Sequence, residues 1–332
     1  MHPIFIVLLA LLGVAAIYCL VATCLASALH KKMFGYRFSH DPLITTYTPD
    51  MFDLESEPIE VNVGGDTVRG ALFHQRGREY DKSVIVVVCH GMWSSHKSYM
   101  QEIGYLCSKG FRTVGFDYVG TGISDGEELG GFGQSLRCLD GIVKHIKNDP
   151  ELSKCRIYVL GHSWGGYAAT NIVKFHPDIT GVIAIAPAAS FDAVAKSNFP
   201  KSIYFLIPFA KLIDKLKLGR FANRRAVKSF KGYNGSVLIL HSKDDAMCPF
   251  DMTTAQIMKR YGGDNFNYYV TEGKFHNPHY TAEGLALMNE FNEKLSKLSD
   301  EDEKNEYKKT VDFIAMGALD TAVMDIVAEH IK

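Results

Sequence analysis

Residues 156–166 read RIYVLGHSWGG: an apolar run, then Gly161-His162-Ser163-Trp164-Gly165, then small residues that open a helical stretch reaching Phe175. A bare G-x-S-x-G pattern is expected by chance about 0.1 times in a chain of this length at roughly 7% usage per residue, so its setting carries the argument. Between a strand and a helix such a turn is tight, and glycines let the backbone pass where a Cβ would clash. The serine Oγ is then held at the C-terminal edge of a sheet, beside the N-terminus of the next helix.

Outward from this turn, short β-like runs alternate with helical stretches. Glu60–Val63 and Val68–His74 read as a hairpin around Gly64-Gly65-Asp66. Ser83–Cys89 (SVIVVVC) is continuously apolar, the pattern of a strand covered on both faces. A helix near Tyr99–Lys109, a strand at Arg112–Phe116, a helix at Gln134–Lys147 and a strand at Gly181–Ala186 follow the same rhythm. Strand Ser236–His241, helix Met252–Arg260 and strand Asn267–Thr271 continue it. The expected fold class is α/β, a mainly parallel sheet with helices on both faces. Ser296–Lys309 reads as a charged, exposed connection, and from Val311 a helical period returns with Phe313, Met316, Leu319, Val323, Met324 and Val327 on one face.

A serine is a poor nucleophile alone and needs a base and an orienting acid. Asp245, just beyond strand SVLIL and four residues before Pro249, is favoured over Asp244, with Asp192 a distant third that reads as a helix cap. His276 follows the strand ending at Thr271, with His279 as the alternative base. The order Ser163, Asp245, His276 suits a triad supplied by successive strand ends. An oxyanion needs two backbone N–H donors: Trp164, directly after the nucleophile, and Met92, in the loop His90-Gly91-Met92-Trp93 that His90 is expected to brace. His276-x-x-His279 has metal-pair spacing but nothing nearby to complete a site, and Gly120-Thr121-Gly122 lacks the third glycine and helix of a dinucleotide fingerprint. Neither metal nor organic cofactor is expected.

The 332 residues carry 36 Lys and Arg against 37 Asp and Glu, a net charge of −1, which argues against a nucleic-acid-binding role. Seven cysteines without a C-x-x-C pair argue against a disulfide framework or zinc site and suit a reducing compartment. Two segments depart from the average. Ile4–Leu29 is 26 residues without a charge, a helix of roughly 39 Å against a hydrocarbon core of ~30 Å. It is expected as a transmembrane anchor over residues 4–29. Lys31, Lys32 and Arg37 follow it, so the downstream domain is expected on the cytoplasmic side. Cleavage at Ala26-Ser27-Ala28, giving a secreted protein, is the alternative. The second segment, 188–232, holds ten Lys and Arg against Asp192 and Asp214, a net +8, interleaved with Ile203–Phe209, Leu212, Ile213, Leu216 and Leu218. Such a mixture reads as an interfacial helix or lid, or as a core-packed helix with a lysine face.

Taken in this order, HGMWSS, FDYVGTGISDG, GHSWGG, HSKDDAMCP and EGKFHN resemble the α/β-hydrolase superfamily over roughly residues 57–332, nearest to monoacylglycerol-lipase-like and serine aminopeptidase-like enzymes. That resemblance implies an eight-stranded sheet with a short helical cap inserted after strand six, where 188–232 falls. It also implies Ser163 as nucleophile, Asp245 as acid, His276 as base, and Met92 and Trp164 as oxyanion donors. Lys274-Phe275 departs from the small glycine that often precedes the histidine. The expected organisation is an anchor at 4–29, a connector at 30–56 and a hydrolase domain at 57–332. The expected reaction is hydrolysis of a carboxylic, acyl- or lipid-like ester. The expected partners are that ester and a membrane, met through the anchor and the basic cap. Peptide or thioester cleavage, acyl transfer and a non-catalytic binding role are the alternatives.

Overall fold

In β3 (Asp81–Cys89), Ile85, Val87 and Cys89 pack into one apolar cluster, while Val84, Val86 and Val88 pack into another on the opposite face. The same alternation divides β5 (Arg156–His162) and β7 (Ser236–Ser242), with Val159 and Ile239 on one side and Leu160 and Leu240 on the other. A period-2 strand buried on both faces needs helices on both sides of the sheet. The computed structural model describes residues 3–44 and 47–331 and supplies them.

The sheet has eight strands in the order β1-β2-β4-β3-β5-β6-β7-β8. The remaining strands are β1 (Leu54–Val63), β2 (Asp66–Gln75), β4 (Phe111–Phe116), β6 (Gly181–Ile185) and β8 (Phe266–Thr271). β2 pairs antiparallel with β1 and β4, and β3 to β8 run parallel. The helices are α1 (Pro3–Phe34), α2 (Met100–Ser108), α3 (Gln134–Asn148), α4 (Trp164–Ile172), α5 (Phe191–Asn198), α6 (Ile207–Leu218), α7 (Ala226–Ser229), α8 (Thr254–Met258), α9 (Ala282–Lys297), α10 (Glu301–Lys309), α11 (Phe313–Met316) and α12 (Thr321–His330). Helices α3 and α4 bury Leu139, Ile142, Ala168 and Ile172 on one face of the sheet; α2 and α12 bury Ile103, Leu106, Met324 and Val327 on the other. Each such leucine, isoleucine, valine or methionine contributes about 1.5–3 kcal/mol.

Helices α5, α6 and α7 lie in the excursion between β6 and β7 and form the expected cap. Ser190 caps α5 by accepting the Ala193 N–H at 3.3 Å. Asp192 is therefore no cap. It ties the cap helices together instead, receiving Lys211 Nζ at 3.0 Å and Arg225 at 2.5 Å.

Several boundaries differ from the sequence reading. α1 does not stop at Leu29 but runs to Phe34, because Ala22, Ala26, His30 and Phe34 form a buried stripe at helical spacing. β1 starts at Leu54, inside the stretch expected as connector. The charged connection is in fact largely helix α10. Asp300 caps it by accepting the N–H groups of Asp302 (2.9 Å) and Glu303 (3.0 Å). Acidic residues fill its first turn and Lys308 and Lys309 its last, both favourable to the helix dipole. The final helical period is split at Gly317, and α12 restarts under a new cap from Asp320.

α1 has a mean hydropathy of 3.0 over its most apolar stretch and is long and apolar enough to cross a membrane. Its outer side chains are exposed, Leu12 at 58% and Leu20 at 65%.

Candidate active site

Ser163 alone joins β5 to α4, with φ 57° and ψ −114°. A non-glycine residue in such a sparsely populated region costs on the order of 1–3 kcal/mol. Three bonds hold it there. Its N–H donates to Ile185 O at 2.9 Å, and its carbonyl accepts the N–H groups of Tyr167 and Ala188, each at 3.0 Å. The glycines around it are required by close approach. A Cβ on Gly161 would lie 2.2 Å from Gly165 O, and one on Gly165 would lie 2.0 Å from Cys89 O.

The candidate acid and base lie in the loops after β7 and β8. Asp245 is buried, and its Oδ2 accepts from His276 Nδ1 at 2.8 Å. Its other oxygen accepts the N–H groups of Met247 and Cys248, both at 2.9 Å. Burial pushes this carboxyl up, but the hydrogen bonds from His241 and His276 outweigh it and hold it well below the usual carboxylate range. Asp244 is exposed and accepts from Ser242 Oγ, so the structure separates the two aspartates. His276 Nε2 is buried and has no hydrogen-bond partner among the described residues. It makes no hydrogen bond to Ser163.

His279 does not share the site. It is fully buried and pairs through Nε2 with Glu102 Oε1 of α2 at 3.1 Å. Burial pushes Glu102 up to about 8 and His279 down to about 3, so the protonated carboxyl donates to a neutral ring. Among the described residues, no group of His, Cys, Asp and Glu is arranged to hold a metal ion.

The loop after β3 faces the serine. A Cβ on Gly91 would lie 3.6 Å from Ser163 Cβ. His90 Nδ1 donates to Gly91 O at 2.7 Å, and burial lowers its ring to about 4, which keeps it neutral and bracing. Tyr99 adds a brace that the sequence did not reveal. Its hydroxyl accepts the Gly91 N–H at 3.0 Å and donates to His162 Nδ1 at 2.6 Å. His162 Nε2 in turn donates to His276 O at 3.0 Å. One chain of bonds thus links the β3 loop, the serine turn and the histidine loop. Phe275 absorbs the tight geometry before His276 with φ 49°, while Lys274 Nζ ties the loop to Tyr280 O at 2.6 Å.

Ser163, His276, Met92 and Trp164 open on a cavity of about 480 Å³. Its walls are largely apolar: Trp93, Phe132, Val194, Phe199 and Met247, with Leu29, Met33 and Tyr36 from the end of α1 and beyond it. Among the described residues, no carboxylate lines it. The contribution of α1 was hidden in the sequence, where an apolar run long enough for a bilayer gives no sign of a second contact.

A mainly parallel sheet, a serine at a strained strand-to-helix turn and a cap after β6 make up the α/β-hydrolase fold. The model of the serine aminopeptidase S33 family matches residues 81–229, less than half of the chain. Lysophosphatidylserine lipase ABHD12 of Bos taurus is 32% identical over 160 residues, 44% of this chain and 37% of that protein. The Danio rerio protein of the same name is 29% identical over 195 residues, 52% of this chain and 47% of that one. The matches thus span less than half the length of these relatives. Among solved structures, the Pyrococcus furiosus esterase Pf2001 superposes with a TM-score of 0.56 at 18% identity, covering 76% of this chain and 95% of that one. The Butyrivibrio proteoclasticus Est1E with ferulic acid bound gives 0.52 at 17%, covering 66% and 90%. These likenesses show the fold.

Proposed function

We propose that the chain is a membrane-tethered serine hydrolase that cleaves the carboxylic ester of an acyl- or lipid-like substrate, with Ser163, His276 and Asp245 as its triad. The observation that carries this reading is the 2.8 Å bond between His276 and Asp245, beside a serine held on a strained turn, all opening on one apolar cavity. Ser163 Oγ attacks the ester carbonyl while His276 Nε2 takes its proton. The Met92 and Trp164 N–H groups receive the oxyanion, and the intermediate collapses as His276 protonates the departing alkoxide. Water, activated by the same nitrogen, then releases the acid. Asp245 keeps the proton on Nδ1, so Nε2 is the basic atom.

The relatives named lysophosphatidylserine lipases support a single-chain lipid ester as substrate. The cavity walls support the same choice over peptides with a free amino terminus, because none of the described residues that line the cavity is a carboxylate that could hold a substrate ammonium. α1 spans the bilayer in this reading, with Lys31, Lys32 and Arg37 placing the domain on the cytoplasmic side. Membranes carrying the wild-type chain should release fatty acid from monoacylglycerol or a lysophospholipid, and Ser163→Ala membranes should not. Equal release from both would remove the assignment. Ester product appearing in place of acid when an alcohol is added would favour an acyltransferase.

A further inference from the structure

The last turns of α1 lie where a tether has no need to be. Leu29 and Met33 of α1, with Tyr36 just beyond it, line the cavity that holds Ser163 and His276. The second half of the helix is held there. Tyr18 meets Phe205 and Phe209 of the cap with ring centroids 6.3 and 6.2 Å apart. Nearer the cavity, His30 Nε2 lies 3.6 Å from Asp214 Oδ1 of α6, both buried. That same oxygen accepts the N–H of Phe132, another wall residue, at 2.8 Å. One carboxylate therefore sets α1, the cap and the cavity wall in a single arrangement.

The depth of these contacts matters. Tyr18 and Leu29 are eleven residues apart, about 16 Å along a helix, which is half of a ~30 Å hydrocarbon layer. If α1 crosses a bilayer, the cap aromatics beside Tyr18 lie at hydrocarbon depth. The outward cap side chains Phe205, Leu212 and Leu216, exposed by 44%, 54% and 78%, suit lipid contact there. The cavity wall made by α1 then stands at the upper edge of the same layer.

We propose that α1 is part of the substrate site: Leu29 and Met33 form the acyl-binding wall, and a long acyl chain passes from the bilayer along α1 into the cavity without crossing water. The inference rests on the proposed ester hydrolysis at Ser163 and adds to it a specificity determinant within the membrane helix. Short-chain esters do not need this wall, whereas long-chain esters do. The ratio of kcat/KM for a long-chain to a short-chain ester therefore reports on it.

The test uses the full-length chain in phosphatidylcholine vesicles with p-nitrophenyl esters of rising acyl length, together with fluorophosphonate labelling. Met33→Trp places an indole in the path of the chain. Each excluded methylene is worth about fourfold in binding, so the long-to-short ratio should fall roughly tenfold or more. Leu12→Trp, on the exposed part of α1 and outside the cavity, should keep the wild-type ratio. If Met33→Trp fails to fold, Leu29→Ala widens the same wall and should shift the preferred acyl length upward. An unchanged length profile in a folded, labelled variant overturns the inference while leaving the triad intact. A wild type that neither labels nor hydrolyses any ester overturns the triad reading itself, and the acyl wall with it.

Discussion

Gly165→Ala tests the account at a residue that touches no substrate. A Cβ at this position would lie 2.0 Å from Cys89 O, 2.6 Å from Cys89 C and 2.7 Å from His90 O, all backbone atoms. To bring the closest pair to an ordinary 3.4 Å, the end of β3 and the start of α4 must part by about 1.4 Å. That displacement falls on the two segments that carry Met92 and Trp164, whose N–H groups are the proposed oxyanion donors. A shift of about 1 Å in catalytic geometry costs on the order of 100-fold. Loss of one oxyanion donor costs about 10²–10³-fold in kcat, or ~2.7–4 kcal/mol. The variant should therefore lose about 100-fold or more in kcat on a short-chain ester, with KM changed far less. The assay is steady-state hydrolysis in detergent, with circular dichroism as the check on folding. A folded Gly165→Ala protein with kcat within a few-fold of wild type would refute the reasoning, because the two segments could then separate without consequence.

Further predictions concern the braces and the charges. Asp245→Asn should lower kcat on the order of 10³–10⁴-fold by releasing the His276 tautomer, read as hydrolysis rate with KM little changed; a tenfold loss would argue for another orienting group. Tyr99→Phe leaves the buried Gly91 N–H and His162 Nδ1 without the hydroxyl that now joins them. It should cost about 2–4 kcal/mol of stability, seen as a lower urea midpoint. Stability should peak near pH 6.5. Below it, His90 (about 4 when folded, 6.5 when free) and His279 (about 3) take up protons only on unfolding, so stability falls as pH drops. Above it, Glu102, raised from 4.5 to about 8, loses its proton more readily unfolded, so stability falls as pH climbs toward 8. Glu102→Gln keeps a donor to His279 and should flatten the alkaline side of a melting-temperature profile; an unchanged slope there would argue against a protonated Glu102.

The parallel sheet was legible because its strands are apolar on both faces, a pattern that few other arrangements allow. SVIVVVC announces β3 in this way, and the serine turn announces itself through glycines that have no room for a Cβ. The choice between Asp244 and Asp245 was less legible, since only folding shows which carboxylate turns inward. His279 carried the residue type of a base but not the position. Its partner Glu102 lies on a helix about 180 residues earlier, a separation that no local pattern encodes. Tyr99 escaped for the same reason: its bonds run to the β3 loop and to His162, 63 residues away. The dense charge of α10 masks its helix, although Asp300 and the acidic first turn that cap it are present in the sequence. The wall that α1 adds to the cavity was the least legible feature, because a helix apolar all round does not reveal which stripe meets protein.

The most direct measurement is fluorophosphonate labelling of the full-length protein in membranes, followed by mass spectrometry of the labelled peptide. An adduct is expected on Ser163 in the wild type and none in Ser163→Ala. Strongly slowed labelling is also expected when His276 is replaced by Ala. An adduct that persists in Ser163→Ala, or a folded wild type that never reacts, would contradict the claim that the turn between β5 and α4 carries an activated serine.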